Sequence, residues 1–229
     1  MLNKRVIRVV AGVCMSGLSM GAFAWGMPKL PGVGGGSSSS GGSSPAQAVS
    51  LQNKIVEQFV VGEKSVLQAQ SYYAMAYGNK GQADKLDAVI KTLECGATCS
   101  KKNLQTAVRV SSSAHKFLTS EMAHKKHLTA VGRKEFVEGT GFYGVGILAL
   151  TKVVPQLKTF MTSAQGAIKG APFTQTLSVE RKLATGMFLA EKAPSYVGGL
   201  VKSGKEVISY ARAGNIRLPE NATSALGNL

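Results

Sequence analysis

Residues 46–77 read AQAVSLQNKIVEQFVVGEKSVLQAQSYYAMAY, and their pattern decides the fold class. Ile55, Phe59, Gly62, Val66, Ala69, Tyr73 and Ala76 follow one another at steps of four and three, which puts them on one face of a helix. Gly78 is the expected stop. A second, shorter helix over 82–94 turns Leu86, Val89, Ile90 and Leu93 inward. A third, over 100–126, carries Leu104, Val108, Ser111, His115, Leu118 and Met122.

Two longer helices complete the set. The run 129–169 repeats the spacing through Phe136, Thr140, Tyr143, Ile147, Val154, Leu157, Met161, Ala164 and Ile168, with Thr129 as N-cap and Gly170 as stop. The run 172–213 does the same from Val179 to Ala211, with Pro172 in its first turn and Gly214 after its end. Pro155 and Pro194 lie inside these two runs, and each predicts a kink or a break because it removes a backbone donor. No stretch alternates with period two for long enough to be a strand. The sequence therefore predicts an all-α, up-down bundle of about five helices over 46–214, several of them long and Pro-kinked, followed by a loosely attached tail over 215–229.

The N-terminus has a different character. Lys4, Arg5 and Arg8 precede an uncharged run from Val9 to Phe23 and the small-x-small pattern Ala22-Phe23-Ala24, the order of a secretory signal peptide over 1–24 cleaved between Ala24 and Trp25. The leader places the protein in the periplasm or the medium, with no transmembrane segment after cleavage. The alternative is an outer-membrane lipoprotein anchored through Cys14, against which stands the bulky Val13 before that cysteine. Residues 25–45, including GMPKLPGVGGGSSSSGGSSP, have almost nothing to bury and read as a flexible, disordered Gly/Ser linker.

The 229 residues carry 27 Lys plus Arg against 12 Asp plus Glu, a formal charge of +15. Loss of the leader removes Lys4, Arg5 and Arg8 and no acid, so +15 falls by three to +12. The cations are spread along every helix, with pairs at Lys101-Lys102, Lys125-Lys126, Arg133-Lys134 and Arg181-Lys182. Such a field attracts anionic envelope surfaces, lipid head groups or polysaccharide, or a protein partner, and shows no specific nucleic-acid motif.

Residues able to carry chemistry are few. Cys95 and Cys99 remain after cleavage, and export into an oxidising compartment predicts a disulfide between them, closing a short loop that contributes about 2 kcal/mol in the chain-entropy model. Glu121, His124 and His127 recur every three residues and are the metal-ligand candidates, opposed by Lys125 and Lys126 between the histidines. Gly139, Gly141, Gly144 and Gly146 predict either a close helix neighbour or space for an apolar ligand beside Phe142 and Tyr143, with Met161 and Met187 as further lining candidates. No serine stands in a G-x-S-x-G turn, no phosphate loop follows a strand, and the carboxylates are scattered. The reading is a non-catalytic, cofactor-free helical binding or structural module of the cell envelope. Its alternative is a carrier of a small hydrophobic ligand in the bundle core. The leader makes a direct prediction: N-terminal sequencing of native protein should begin at Trp25.

Overall fold

Ser44 opens the first helix with a capping box: its side chain accepts Gln47 N at 3.3 Å, and the Gln47 amide oxygen accepts Ser44 N at 2.9 Å. Pro45 follows in the first turn, where no amide hydrogen is needed. The computed structural model describes residues 44–124 and 127–227. The expected signal peptide, its Ala24–Trp25 cleavage point, Cys14 and the linker up to residue 43 lie outside the described residues, as do Lys125 and Lys126. The described residues form α1 (Pro45–Ala76), α2 (Lys80–Thr92), α3 (Lys101–Ala123), α4 (Ala130–Lys169), α5 (Thr176–Ala213) and α6 (Glu220–Gly227), with a short 3-10 turn at Gly96–Thr98 and no strand.

Most boundaries follow from local chemistry. Asn79 caps α2 by accepting Gln82 N, Ser100 caps α3, and Thr129 caps α4 by accepting Gly132 N at 3.0 Å. Gly78 takes φ +77° after α1, a conformation open to glycine at little cost. At the end of α5 it is Asn215, not Gly214, that enters the left-handed region, at φ 51°.

Two expectations need correction, and the choice between a kink and a break at each inner proline narrows. Pro172 does not begin the last long helix: its carbonyl accepts Gln175 N at 2.7 Å and Thr176 N at 3.1 Å, so reversal after Gly170 consumes the residues before Thr176. Neither Pro155 nor Pro194 breaks its helix. Buried Val153 and Leu157 bracket the first, and buried Ala193 and Val197 the second, so core packing holds both sides of the lost hydrogen bond. The tail is not loose, because α6 buries Ala222, Ala225 and Leu226 against α4 and α5. Small residues receive it: Gly144 lies under Ala222 and Ala225, and Gly204 under Leu226.

The five long elements alternate in direction. α1 is central and packs on α2, α3, α4 and α5, whereas the backbones of α3 and α4, consecutive in the chain, do not come close. The α1–α4 pair is the most extensive contact, and its register is regular. Cβ atoms added to Gly132, Gly139 and Gly146 would come within 2.5 Å of Ala76 O, 2.9 Å of Ala69 O and 2.9 Å of Gly62 O. The partners are spaced by seven in opposite senses, which is an antiparallel seam of small residues between two backbones. Gly62 in turn receives Leu150, whose Cγ would lie 2.8 Å from an added Cβ. On α1, Phe59, Val66 and Tyr73 fill the core beside the seam.

The seam separates two kinds of glycine. Gly146→Ala should destabilise by about 1–3 kcal/mol, because its methyl meets backbone atoms that have no room to move. Gly141, only five residues away, meets nothing within 4 Å, and Gly141→Ala should stabilise by up to about 1 kcal/mol through helix propensity alone. Urea-unfolding midpoints of the two variants should move in opposite directions.

Candidate functional site

The structure scatters the residues singled out by sequence. Cys95 and Cys99 flank the 3-10 turn with their sulfurs 1.97 Å apart and their Cα atoms 5.0 Å apart, a disulfide distance. Gly96, at φ +55°, lets the chain bend between them. Glu121, His124 and His127 share a helical face only if α3 continues to Lys126, but α3 ends at Ala123. His124 is the exposed C-cap, with Nδ1 2.6 Å from Ser120 O, and His127 lies beyond the helix. Among the described residues no three His, Cys, Asp or Glu side chains gather as a metal site would require.

Around Tyr143 the space is occupied by protein, whereas the half-buried Phe142 borders a surface cleft of about 290 Å³ with Gly141 and Val145. Tyr143 is fully buried, its hydroxyl donates to Leu200 O at 3.2 Å, and its ring meets Tyr73 edge-on. Phe142 stacks on Tyr72 at 5.5 Å between centroids. Met161 and Met187 are partly buried against the core and lie on the separate helices α4 and α5. Of the two readings of the glycines, the neighbouring helix is the one the packing fills at Gly139 and Gly146.

A polar cluster that the sequence reading passed over sits in the core. Glu63 of α1 has no exposed surface. Tyr196 of α5 donates to Glu63 Oε2 at 2.7 Å, and the same phenol oxygen lies 2.6 Å from Ser111 Oγ of α3. One phenolic hydrogen serves one of these bonds, so with Tyr196 donating to the carboxylate it is Ser111 that donates to Tyr196. Gln70, one heptad beyond Glu63 on α1, donates to Ser111 O at 3.0 Å. Glu63 Oε1 and Gln70 Oε1 have no hydrogen-bond partner. Burial pushes the Glu63 carboxyl up to about 7, with the Tyr196 bond acting in the opposite direction. Burial first, and the adjacent Glu63 second, hold the Tyr196 phenol well above its usual value. One turn further along α3, His115 bonds Ser203 of α5 at 2.7 Å, and burial lowers its pKa. The cluster ties α1, α3 and α5 through their polar atoms. With no surface on Glu63 or Ser111, it bears on packing and titration rather than on a dissolved molecule.

The accessible feature is a groove of about 790 Å³ where the ends of α3 and α5 meet the start of α4. Met122, Leu128, Tyr210, Ala213 and Ile216 give it an apolar lining, and His127, Arg133, Lys202 and Lys205 stand around it. One carboxylate, Glu206, also lines it, with Oε2 3.3 Å from Thr119 Oγ1, which donates to it. The groove exists because α3 and α4 do not pack on each other, so no helix closes the space between them. Comparison with family models, curated proteins and solved structures gives no match. The groove and the charge therefore carry the functional reading. Elsewhere α4 is long and apolar enough by composition to cross a membrane, but it packs on α1, α5 and α6.

The signal for Glu63 lay in the spacing. Phe59, Glu63, Val66, Gln70 and Tyr73 step by four and three along one stripe, so an acid and an amide sit in line with core residues. Because burial pushes the native carboxyl up to about 7 from the ordinary 4.5, the folded state holds a proton that the unfolded state has lost between those values. Stability should fall by roughly 3 kcal/mol as pH rises across that window, at about 1.4 kcal/mol per unit. Lowered His115 acts in the opposite sense at and below the ordinary histidine range. Comparison with Glu63→Gln isolates the carboxyl: the variant should melt several degrees higher than the parent at pH 8 and at nearly the same temperature at pH 4.5.

Proposed function

We propose that the protein is an exported, non-catalytic binding module that attaches to an anionic surface of the cell envelope through its cations. The observation that carries this reading is the lack of internal neutralisation. Among the described residues, ion pairs form between Lys80 and Asp84 and between Lys192 and Glu191, both on the surface. Every other described Lys and Arg has no carboxylate within 4 Å of the kind that would cancel its field.

Position supports the same reading. The turn joining α4 and α5 presents Phe173 almost wholly to solvent, at 98% exposure, with Leu177 at 58% on the first turn of α5. Lys169, Arg181 and Lys182 lie exposed on either side in the chain. A bare aromatic flanked by cations suits the interface of an anionic bilayer, where the ring enters the head-group region and the ammonium and guanidinium groups meet phosphate. The start of α1 is at the same end, since Pro45, Ala46, Gln175 and Ser178 line one cleft.

Co-sedimentation with vesicles tests the proposal. Binding to phosphatidylglycerol vesicles at 50 mM salt should drop at least tenfold at 300 mM salt and be absent from phosphatidylcholine vesicles. Binding that ignores both salt and head-group charge would overturn it. A Phe173→Trp variant should show blue-shifted emission on the anionic vesicles.

A further inference from the structure

We infer that the groove between the ends of α3 and α5 is a binding site for a single-chain anionic amphiphile, a long-chain fatty acid. This goes beyond attachment to a surface, because the groove lies at the other end of α5 from Phe173. Phe173 lies just before Thr176, the first residue of α5, and the helix from there to Lys202 rises roughly 40 Å at 1.5 Å per residue.

The chemistry of the lining selects the ligand. Met122, Leu128, Ala213 and Ile216 offer apolar surface that a purely ionic solute would leave wet. Lys202, Lys205 and Arg133 offer positive charge that a purely apolar solute would leave unused, and none of them has an ion-pair partner among the described residues. An acyl chain on the apolar lining, with its carboxylate at these cations, meets both demands. Glu206 does not cancel them: its nearest described partner is the Thr119 hydroxyl, and it confines the carboxylate to the side of the groove away from itself. The volume, about 790 Å³, is that of small-ligand sites and takes one chain. Tyr210, at the groove edge, packs its ring on Phe136 of the core at 5.4 Å, which ties that side of the groove to the fold.

The test uses the mature chain and cis-parinaric acid, whose fluorescence rises in an apolar site. At 300 mM salt, where surface attraction is screened, the probe should bind saturably at one per chain and be displaced by palmitate, with hexadecanol at least tenfold weaker. Lys202→Glu with Lys205→Glu should weaken binding at least tenfold. Ala213→Trp, which places a ring in the groove from an exposed helix position, should abolish binding while circular dichroism stays unchanged. Absence of saturable binding would overturn the inference, as would displacement by hexadecanol equal to that by palmitate, or indifference to both sets of variants. Displacement by an acidic amphipathic peptide but not by palmitate would equally overturn it, in favour of a protein partner. The vesicle result stands apart: salt-sensitive vesicle binding with no saturable probe binding sinks the groove and leaves the surface reading intact, and the reverse outcome sinks only the surface reading.

Discussion

The close approach of α1 and α4 is the constraint on which the remaining packing depends. Gly132, Gly139 and Gly146 meet Ala76, Ala69 and Gly62 in a register that shifts by seven at each step. Two helices in that arrangement touch through backbone, so a side chain as small as a methyl on α4 would push them apart. Val66 and Tyr73 pack along the seam itself, against Gly146 and Gly139, while the neighbouring Glu63 and Gln70 of α1 turn towards α3 and α5. The glycines lower helix propensity along α4, and that loss is offset by dispersion contacts over a seam of fifteen residues.

The second consequence of a central α1 is that its polar side chains have nowhere to go. Glu63 and Gln70 point into the space where α3 and α5 converge, and among the described residues Tyr196 and Ser111 answer them. Among the described residues no cation pairs with Glu63, and burial raises its carboxyl to about 7. An apolar residue at 63 would serve stability as well or better at neutral pH. What the cluster adds is directionality: Gln70 to Ser111 and Tyr196 to Glu63 fix the rotation of three helices relative to one another, which apolar contacts alone leave looser. Gln52 does the same at the other end of α1, donating to Lys182 O and accepting from Gly186 N across to α5.

The five longer helices were legible because five runs keep the four-three spacing over long stretches. The limits of that reading are physical. Periodicity records which face is buried but not against which partner, so the four glycines of 139–146 could announce a close neighbour without naming α1 for Gly139 and Gly146 or α6 for Gly144. The tail was misread because Ala222, Ala225 and Leu226 make a short apolar stripe whose value appears only when Gly144 and Gly204 leave room for it. Glu121, His124 and His127 were linked by a helix extended three residues too far, and a helix end is the feature that sequence marks least sharply. The groove was invisible for a different reason. It is made of residues from 119 to 133 and from 202 to 216, brought together by the bundle, and it arises from a contact between α3 and α4 that does not form.

That missing contact follows from the topology. α3 and α4 are joined by only a few residues, yet α4 must reach across α1 to build the glycine seam, while α3 runs parallel to α1 beside α5, as the Gln70–Ser111, Tyr77–Phe117 and His115–Ser203 pairs show. The start of α4 therefore leaves the end of α3 at an opening rather than packing along it. Leu128 and Met122 are nearly buried at its edge, and Ala213 and Ile216 approach from α5. The cations that surround the opening come from both sides, Arg133 from the first turn of α4 and Lys202 and Lys205 from the last turns of α5. The seam that gives the bundle its strongest contact thus also leaves it an apolar space with a positive margin, at the end opposite the turn that carries Phe173.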